Sequence, residues 1–343
     1  MLSTARYLGR CGKLSSFFRR EGSFRRRIIG SLAVGAFGSM VVSLSTEAMA
    51  SSPPPKSGCV SLSSSLKRPS RPTIVFIHGL DSAKDTWTTV QANLLKDQYP
   101  SIALDLRGHG ESPLGKHEEF TPSQLAADIR ASIITHNIPR PFVLCGHSMG
   151  GMVVMRYAAQ YPSDLSALVI EDMDIRPRRN RPFTASEFKR HEKFSRFFPS
   201  AEIAKATLVS FGYAPERVDG WFKTGRVYPV EGGYWSNINP MARYLACQHV
   251  LSSSDARKAF SSISTGNLPT YLFVAGRGSV CKEEGKGGVL EMCSILPRLK
   301  VSRFPQGYHS IHNTAQDEFL SEIKHIVDKA QTDSTEASIR ARM

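Results

Sequence analysis

The pentapeptide Gly146-His147-Ser148-Met149-Gly150 stands between an apolar run, Pro141 to Cys145, and a helical pattern, Met152 to Tyr161. A serine with glycines on both sides, set between a buried strand and a helix, can occupy a strained turn that lifts its hydroxyl clear of the backbone. That chemistry is nucleophilic attack. The bare pattern is weak, and its placement between strand and helix is what makes it specific. A serine hydroxyl needs a base to take its proton. His309, in FPQGYHSIH, lies after the last strand-like run and before the last helix, where a loop can return an imidazole to the serine. His312 competes for the role, although its spacing suggests the first turn of the following helix.

Attack on a carbonyl creates an oxyanion, which needs two preorganised donors. The backbone N–H of Leu80, in His78-Gly79-Leu80 after the first strand, and that of Met149, just after the serine, stand in the expected places. His78 itself reads as a structural hydrogen-bonding residue. In DLRGHGES, Asp105 to Ser112, Asp105 and His109 are potential acid or base, but the segment reads better as a buttress for the loop beside the oxyanion donors.

The elements that must position these residues alternate. Short apolar runs, TIVFIHG, SIALDLRG, PFVLCGHS, LSALVIEDMDI, PTYLFVAG and VSRFP, are separated by helical patterns, which predicts an α/β protein with a mostly parallel sheet flanked by helices. Thr121, Pro122 and Gln124 predict a capping box, with Phe120 and Leu125 placed as a staple. Phe319, Leu320, Ile323, Ile326 and Val327 form one apolar helical stripe. Between Asp174 and about Ser262 the strands stop. An insertion of this size between parallel strands reads as a helical cap, about 176–262, over the edge where open α/β sheets bind ligands. Within it YPVEGGYW reads as a hairpin about Gly232 and Gly233.

TIVFIHGL, DLRGHGES, GHSMGG and GYH, in this order, resemble the α/β-hydrolase superfamily over roughly 72–330. DIRP at Asp174 to Pro177 and the turn GRGS resemble the branch of the bacterial esterase YbfF and its mitochondrial abhydrolase relatives. In most of the superfamily an Asp follows the strand read here as PTYLFVAG, but FVAGRGSVCKEE contains none. The resemblance implies that the acid moves to the end of the strand before the cap. Asp172 and Asp174 are two apart, so on a strand they share a face. Asp174 lies nearer the C-terminal edge and is the expected triad acid; Glu283 or Glu284 is the alternative. Ser279 is then expected to hydrogen-bond behind the acid, its other reading being an ordinary turn residue. The implied activity is a serine hydrolase cleaving carboxylic esters or thioesters through an acyl-enzyme. An acyltransferase, a lyase, a pigment-dephytylating esterase and a non-enzymatic ligand receptor are the alternatives. An Asp at the elbow, which halide-removing and epoxide-opening relatives use, is absent.

The 343 residues carry a net charge of +14, 41% hydrophobic and 22% charged residues, a composition that excludes collagen, coiled coil and wholesale disorder. Arg6, Arg10, Lys13, Arg19, Arg20 and Arg25 to Arg27 hold much of this charge ahead of an apolar run, Ile28 to Leu44, and the triplet Ala48-Met49-Ala50. Residues 1–50 therefore read as a targeting segment and 51–70 as a linker. The implied address is organellar, a plastid and within it the thylakoid lumen, with a mitochondrion as the alternative; whether 28–44 is cleaved or retained stays open. No nucleic-acid partner, metal or organic cofactor is implied. Cysteine spacing predicts neither zinc binding nor a defined disulfide set. The cap aromatics between Phe183 and Trp235 are expected mainly to pack the cap, with a few lining an acyl pocket. Arg176, Arg178, Arg179 and Arg181 could steer an anionic substrate, contact a lipid surface or form a solvated turn. Beyond Ala330 a disordered tail, 331–343, is expected.

Overall fold

A computed structural model describes residues 71–178 and 181–340. The targeting segment, the linker, Arg179, Cys11 and Cys59 lie outside the described residues.

The strands are β1 (Ile74–Ile77), β2 (Ser101–Leu104), β3 (Phe142–His147), β4 (Leu165–Glu171), β5 (Phe197–Phe198), β6 (Val227–Val230), β7 (Gly233–Ser236), β8 (Thr270–Ala275) and β9 (Lys300–Phe304). Six of them form the central sheet in the order β2-β1-β3-β4-β8-β9, every pair parallel. Each of the six strand-like runs in the sequence supplies one of these strands. Successive residues face opposite sides, and both sides are dry except along the edge strand β9, where Lys300 and Arg303 are exposed. Val75, Ile77 and Leu144 enter one core cluster, while Ile74, Phe76, Val143 and Cys145 enter the other. That two-sided burial is why the strands read as continuous apolar runs and not as alternation.

The α-helices are α1 (Thr88–Lys96), α2 (Pro122–Thr135), α3 (Met149–Gln160), α4 (Ala185–Glu192), α5 (Ala201–Ser210), α6 (Pro215–Lys223), α7 (Pro240–Leu245), α8 (Asp255–Ile263), α9 (Val289–Ile295), α10 (Ile311–Thr314) and α11 (Gln316–Arg340). At the start of α2 the Thr121 side chain accepts from the Gln124 backbone N–H, but the Gln124 amide turns to Asp128. Only half of the expected capping box forms, because an acid one turn along offers that amide a charged acceptor. The apolar stripe of α11 is buried as expected. The helix then continues through Arg340, past the predicted end of order at Ala330; neither proline nor glycine interrupts it.

The insertion lies between β4 and β8 and differs from the expected helical cap in two ways. It contains a three-stranded antiparallel sheet, β5-β7-β6, whose β6–β7 hairpin is the YPVEGGYW segment. Its own core gathers Phe198, Leu208, Tyr213, Val218, Trp221 and Ile238. It also ends earlier than Ser262. Helix α8 belongs to the main core, where Ala256, Ala259, Phe260 and Ile263 join the cluster of α3 and Asp255 pairs with Arg156. Among the described residues no helix is long and apolar enough to cross a membrane, and Cys145, Cys247, Cys281 and Cys293 are free thiols.

Candidate active site

Ser148 connects β3 to α3 with φ +54° and ψ −122°, a conformation costly for any residue with a Cβ. The turn is closed from both sides. A Cβ on Gly146 would meet the Gly150 carbonyl oxygen at 2.5 Å, and one on Gly150 would meet the His78 carbonyl oxygen at 2.5 Å. Both positions need glycine for close approach. Ser148 N–H donates to the Glu171 carbonyl at 2.9 Å, which ties the turn to the end of β4.

His309 lies on the loop between β9 and α10. Its Nε2 is 3.0 Å from Ser148 Oγ, and its Nδ1 is 2.7 Å from Asp172 Oδ2. The structure brings the expected serine and histidine within reach of each other, and the carboxylate beside the histidine is Asp172 instead of the expected Asp174. Asp174 is fully buried elsewhere: it accepts from Arg176 Nε at 2.7 Å, Arg178 Nη1 at 2.7 Å and Lys282 N–H at 2.9 Å. The physical reason is the end of the strand. Strand β4 stops at Glu171 and Asp172 takes φ +45°, so the alternation that would put residues 172 and 174 on one face is broken. His147 pairs with Glu171, so the first residues beyond the two paired strands are Ser148 and Asp172. Glu283 pairs with Arg303 on the surface and Glu284 is also exposed, so neither approaches His309 as an acid.

Four donors hold the Asp172 carboxylate: His309, Ser279 Oγ at 2.5 Å, Ala275 N–H at 3.0 Å and Val280 N–H at 3.1 Å. Burial pushes this carboxyl up, but these hydrogen bonds outweigh it and keep the group below the usual carboxylate range. Ser279 thus hydrogen-bonds the carboxylate beside His309, which is Asp172 and not the Asp174 it was expected to support.

On the other side of the serine, Gly79 packs so closely that a Cβ there would be 3.1 Å from Ser148 Cβ. The next residue is Leu80, and Met149 opens α3, where a first-turn N–H has no partner within the helix. His78 fixes this loop: Nδ1–H donates to the Gly79 carbonyl at 2.7 Å while Nε2 accepts from Leu106 N–H at 3.0 Å. Burial drives its pKa down to about 3, so the ring is neutral. Asp105 accepts from the N–H groups of Lys84 and Glu111, and His109 Nδ1–H donates to the Arg107 carbonyl. Both residues brace the loop and neither approaches Ser148.

A contact that sequence reasoning missed joins this loop to the cap. Asp81, buried and at φ +55°, pairs with Arg243 and Arg217 and accepts from Tyr213 Oη at 3.2 Å. Arg226 donates to the Asp81 carbonyl at 3.0 Å and to Asp85 at 3.0 Å. Four cap side chains therefore converge one residue beyond Leu80. The arginines at the cap entrance are likewise engaged, Arg176 and Arg178 on Asp174 and Arg181 on Glu187.

The profile of the alpha/beta hydrolase fold family matches residues 72–315, and the chain belongs to that family. A 2-succinyl-6-hydroxy-2,4-cyclohexadiene-1-carboxylate synthase of Enterobacter sp. (strain 638) is 38% identical over 105 residues, which is 30% of this chain and 38% of that protein. The chain thus spans little more than a third of the length of the curated relatives it matches. Among solved structures, an E-2-(acetamidomethylene)succinate hydrolase has a TM-score of 0.55 at 21% identity, covering 75% of this chain and 91% of that one. The thioesterase domain from the curacin biosynthetic pathway also has a TM-score of 0.55 at 21% identity, covering 75% and 92%. At such identities the likeness is one of fold.

Proposed function

We propose that the chain is a serine hydrolase that cleaves a carboxylic ester or thioester through an acyl-enzyme. The observation that carries this reading is the unbroken line from Asp172 through His309 to Ser148, with separations of 2.7 and 3.0 Å. In the proposed reaction His309 Nε2 takes the Ser148 proton as Oγ attacks the acyl carbon. Asp172 holds the Nδ1–H tautomer and stabilises the imidazolium that forms. The N–H groups of Leu80 and Met149 receive the oxyanion. His309 then protonates the leaving alcohol or thiol, water attacks the acyl-enzyme by the same route, and the acid is released.

The substrate in this reading is a small-molecule acyl ester or thioester. Several cap aromatics are spent on one another, such as Phe183 stacked on Tyr244 with centroids 3.9 Å apart and Tyr213 edge-on to Trp221 at 4.8 Å. Arg176, Arg178 and Arg181 are paired within the chain, so the reading does not rely on them for an anionic substrate. Steady-state hydrolysis of p-nitrophenyl esters of increasing acyl length, and of matching acyl-CoAs, tests the proposal beside Ser148→Ala. Turnover that disappears in the variant supports it; equal turnover by both proteins, or none together with no fluorophosphonate labelling of Ser148, contradicts it. We place the enzyme in an organelle, a plastid before a mitochondrion, on the Arg-rich segment and apolar run of residues 1–50. Imaging the full chain fused at its C-terminus to a fluorescent protein tests that placement.

A further inference from the structure

A second carboxylate–histidine pair lies beside the first. Glu171 is the last residue of β4, immediately before Asp172, and His312 is three residues beyond His309. Glu171 Oε1 accepts the His312 backbone N–H at 2.9 Å and its Nδ1–H at 2.8 Å, and Oε2 lies 3.0 Å from the same ring nitrogen. Neither side chain is more than 1% exposed. The ring's far nitrogen, Nε2, contacts Thr86 Oγ1 at 3.1 Å. A third buried residue completes the arrangement: His147, which precedes the nucleophile, donates Nε2–H to the His309 carbonyl at 3.0 Å.

A carboxylate in a dry interior is costly unless it is paired, and losing one partner leaves a charge stranded. Glu171 spends both of its oxygens on one histidine turn. Asp172 governs the tautomer and rotation of the His309 ring, but it cannot place the His309 backbone. That backbone lies outside regular structure, between the exposed Tyr308 and the four-residue helix α10. It is held at its carbonyl by His147, and three residues on, at the N–H and ring of His312, by Glu171. Adjacent residues at the end of one strand therefore grip the two histidines separately.

We propose that Glu171, His312 and His147 are positioning residues that fix the His309 turn, so that its imidazole stands within reach of Ser148 before substrate arrives. This rests on the serine-hydrolase reading above. His147, Glu171 and His312 also bring potential metal-ligating atoms within 4.8 Å of one another. Glu171 Oε1 and His312 Nδ1 are spent on each other, however, and His147 Nε2 on a carbonyl, so the geometry points to positioning and not to ion binding.

His312→Phe tests this in the full chain, because a phenyl ring can keep the packing on Trp87, 4.1 Å between centroids, and on Phe319 at 6.2 Å while losing the ring N–H, though not the backbone N–H, to Glu171. The readouts are the fluorophosphonate labelling rate of Ser148 and the kcat and KM for the best p-nitrophenyl ester. A displacement of about 1 Å in a catalytic group can cost on the order of 10²-fold in rate. Labelling and kcat are expected to fall by about that factor in His312→Phe with KM unchanged. His312→Asn, which returns a side-chain N–H to the Nδ1 position, is expected to recover most of the loss. If circular dichroism finds His312→Phe unfolded, Glu171→Gln gives the reading, with about a tenfold fall in kcat at constant KM expected. Wild-type labelling rates in the folded variants overturn the proposal, as does a loss confined to KM, or activity removed by a chelator and restored by zinc. Wild-type protein that neither labels at Ser148 nor turns over an ester overturns the parent reading as well, which separates the two failures.

Discussion

Ser279 Oγ lies 2.5 Å from Asp172 Oδ1, on the carboxylate whose other oxygen is 2.7 Å from His309 Nδ1. A serine in the turn after β8 thus reaches an acid at the end of β4, and the site spans neighbouring strands of the sheet.

Removing that hydroxyl should weaken the acid without deleting it. Hydrogen bonds, including the one from Ser279, hold the Asp172 carboxyl below its ordinary range. The stability this lends is present above the unfolded-state value and is lost as the pH falls through the lower folded-state value. Ser279→Ala raises the folded-state value toward the unfolded one, so the acid loss should still begin near the unfolded-state value but be smaller and complete at higher pH than in the wild type, with kcat about tenfold lower at neutral pH. Urea unfolding across a pH series, with kcat measured in parallel, checks both.

Asp81, one residue beyond Leu80, should matter for stability. It is 5% exposed and its charge is met by Arg243 and Arg217 from the cap. Asp81→Ala removes the acceptor shared by Arg243, Arg217 and the buried Tyr213 hydroxyl; both guanidinium groups are partly exposed and can be hydrated, so the cost should be about 1–3 kcal/mol, set by the hydroxyl left without its acceptor. The urea midpoint should fall accordingly, and kcat should fall with it, because Leu80 is the preceding residue.

The sheet was legible because its inner strands are dry on both faces and its runs are bounded by turn residues; only the edge strand β9 leaves Lys300 and Arg303 exposed. The serine and histidine were legible because their chemistry demands a strand–turn–helix and a late loop. The acid was not, since choosing between Asp172 and Asp174 depends on whether alternation survives the strand end. The +45° φ at Asp172 ends it. Glu171 and Asp81 read in sequence as a strand residue and a loop residue. Their roles come from His312 and Arg243, which are 141 and 162 residues away in the chain.

Two buried histidines set a further acid limit. Burial lowers the pKa of His147 to about 4 and that of His78 to about 3. The unfolded chain takes up these protons near pH 6.5 while the folded protein refuses them. Stability should therefore fall as the pH drops from 6.5 toward 4, by roughly 1.4 kcal/mol per pH unit for each ring. His78→Gln, whose amide can still donate to a carbonyl, should flatten part of that slope in equilibrium unfolding.

The most direct measurement compares kcat for Asp172→Asn and Asp174→Asn on the same p-nitrophenyl ester. An amide beside the base favours the wrong imidazole tautomer and costs about 10⁴-fold. Asp172→Asn should lose that much, whereas Asp174→Asn, which keeps an oxygen for Arg176 and Arg178, should stay within about threefold of wild type. The reverse order, with Asp174→Asn inactive and Asp172→Asn active, would contradict the account.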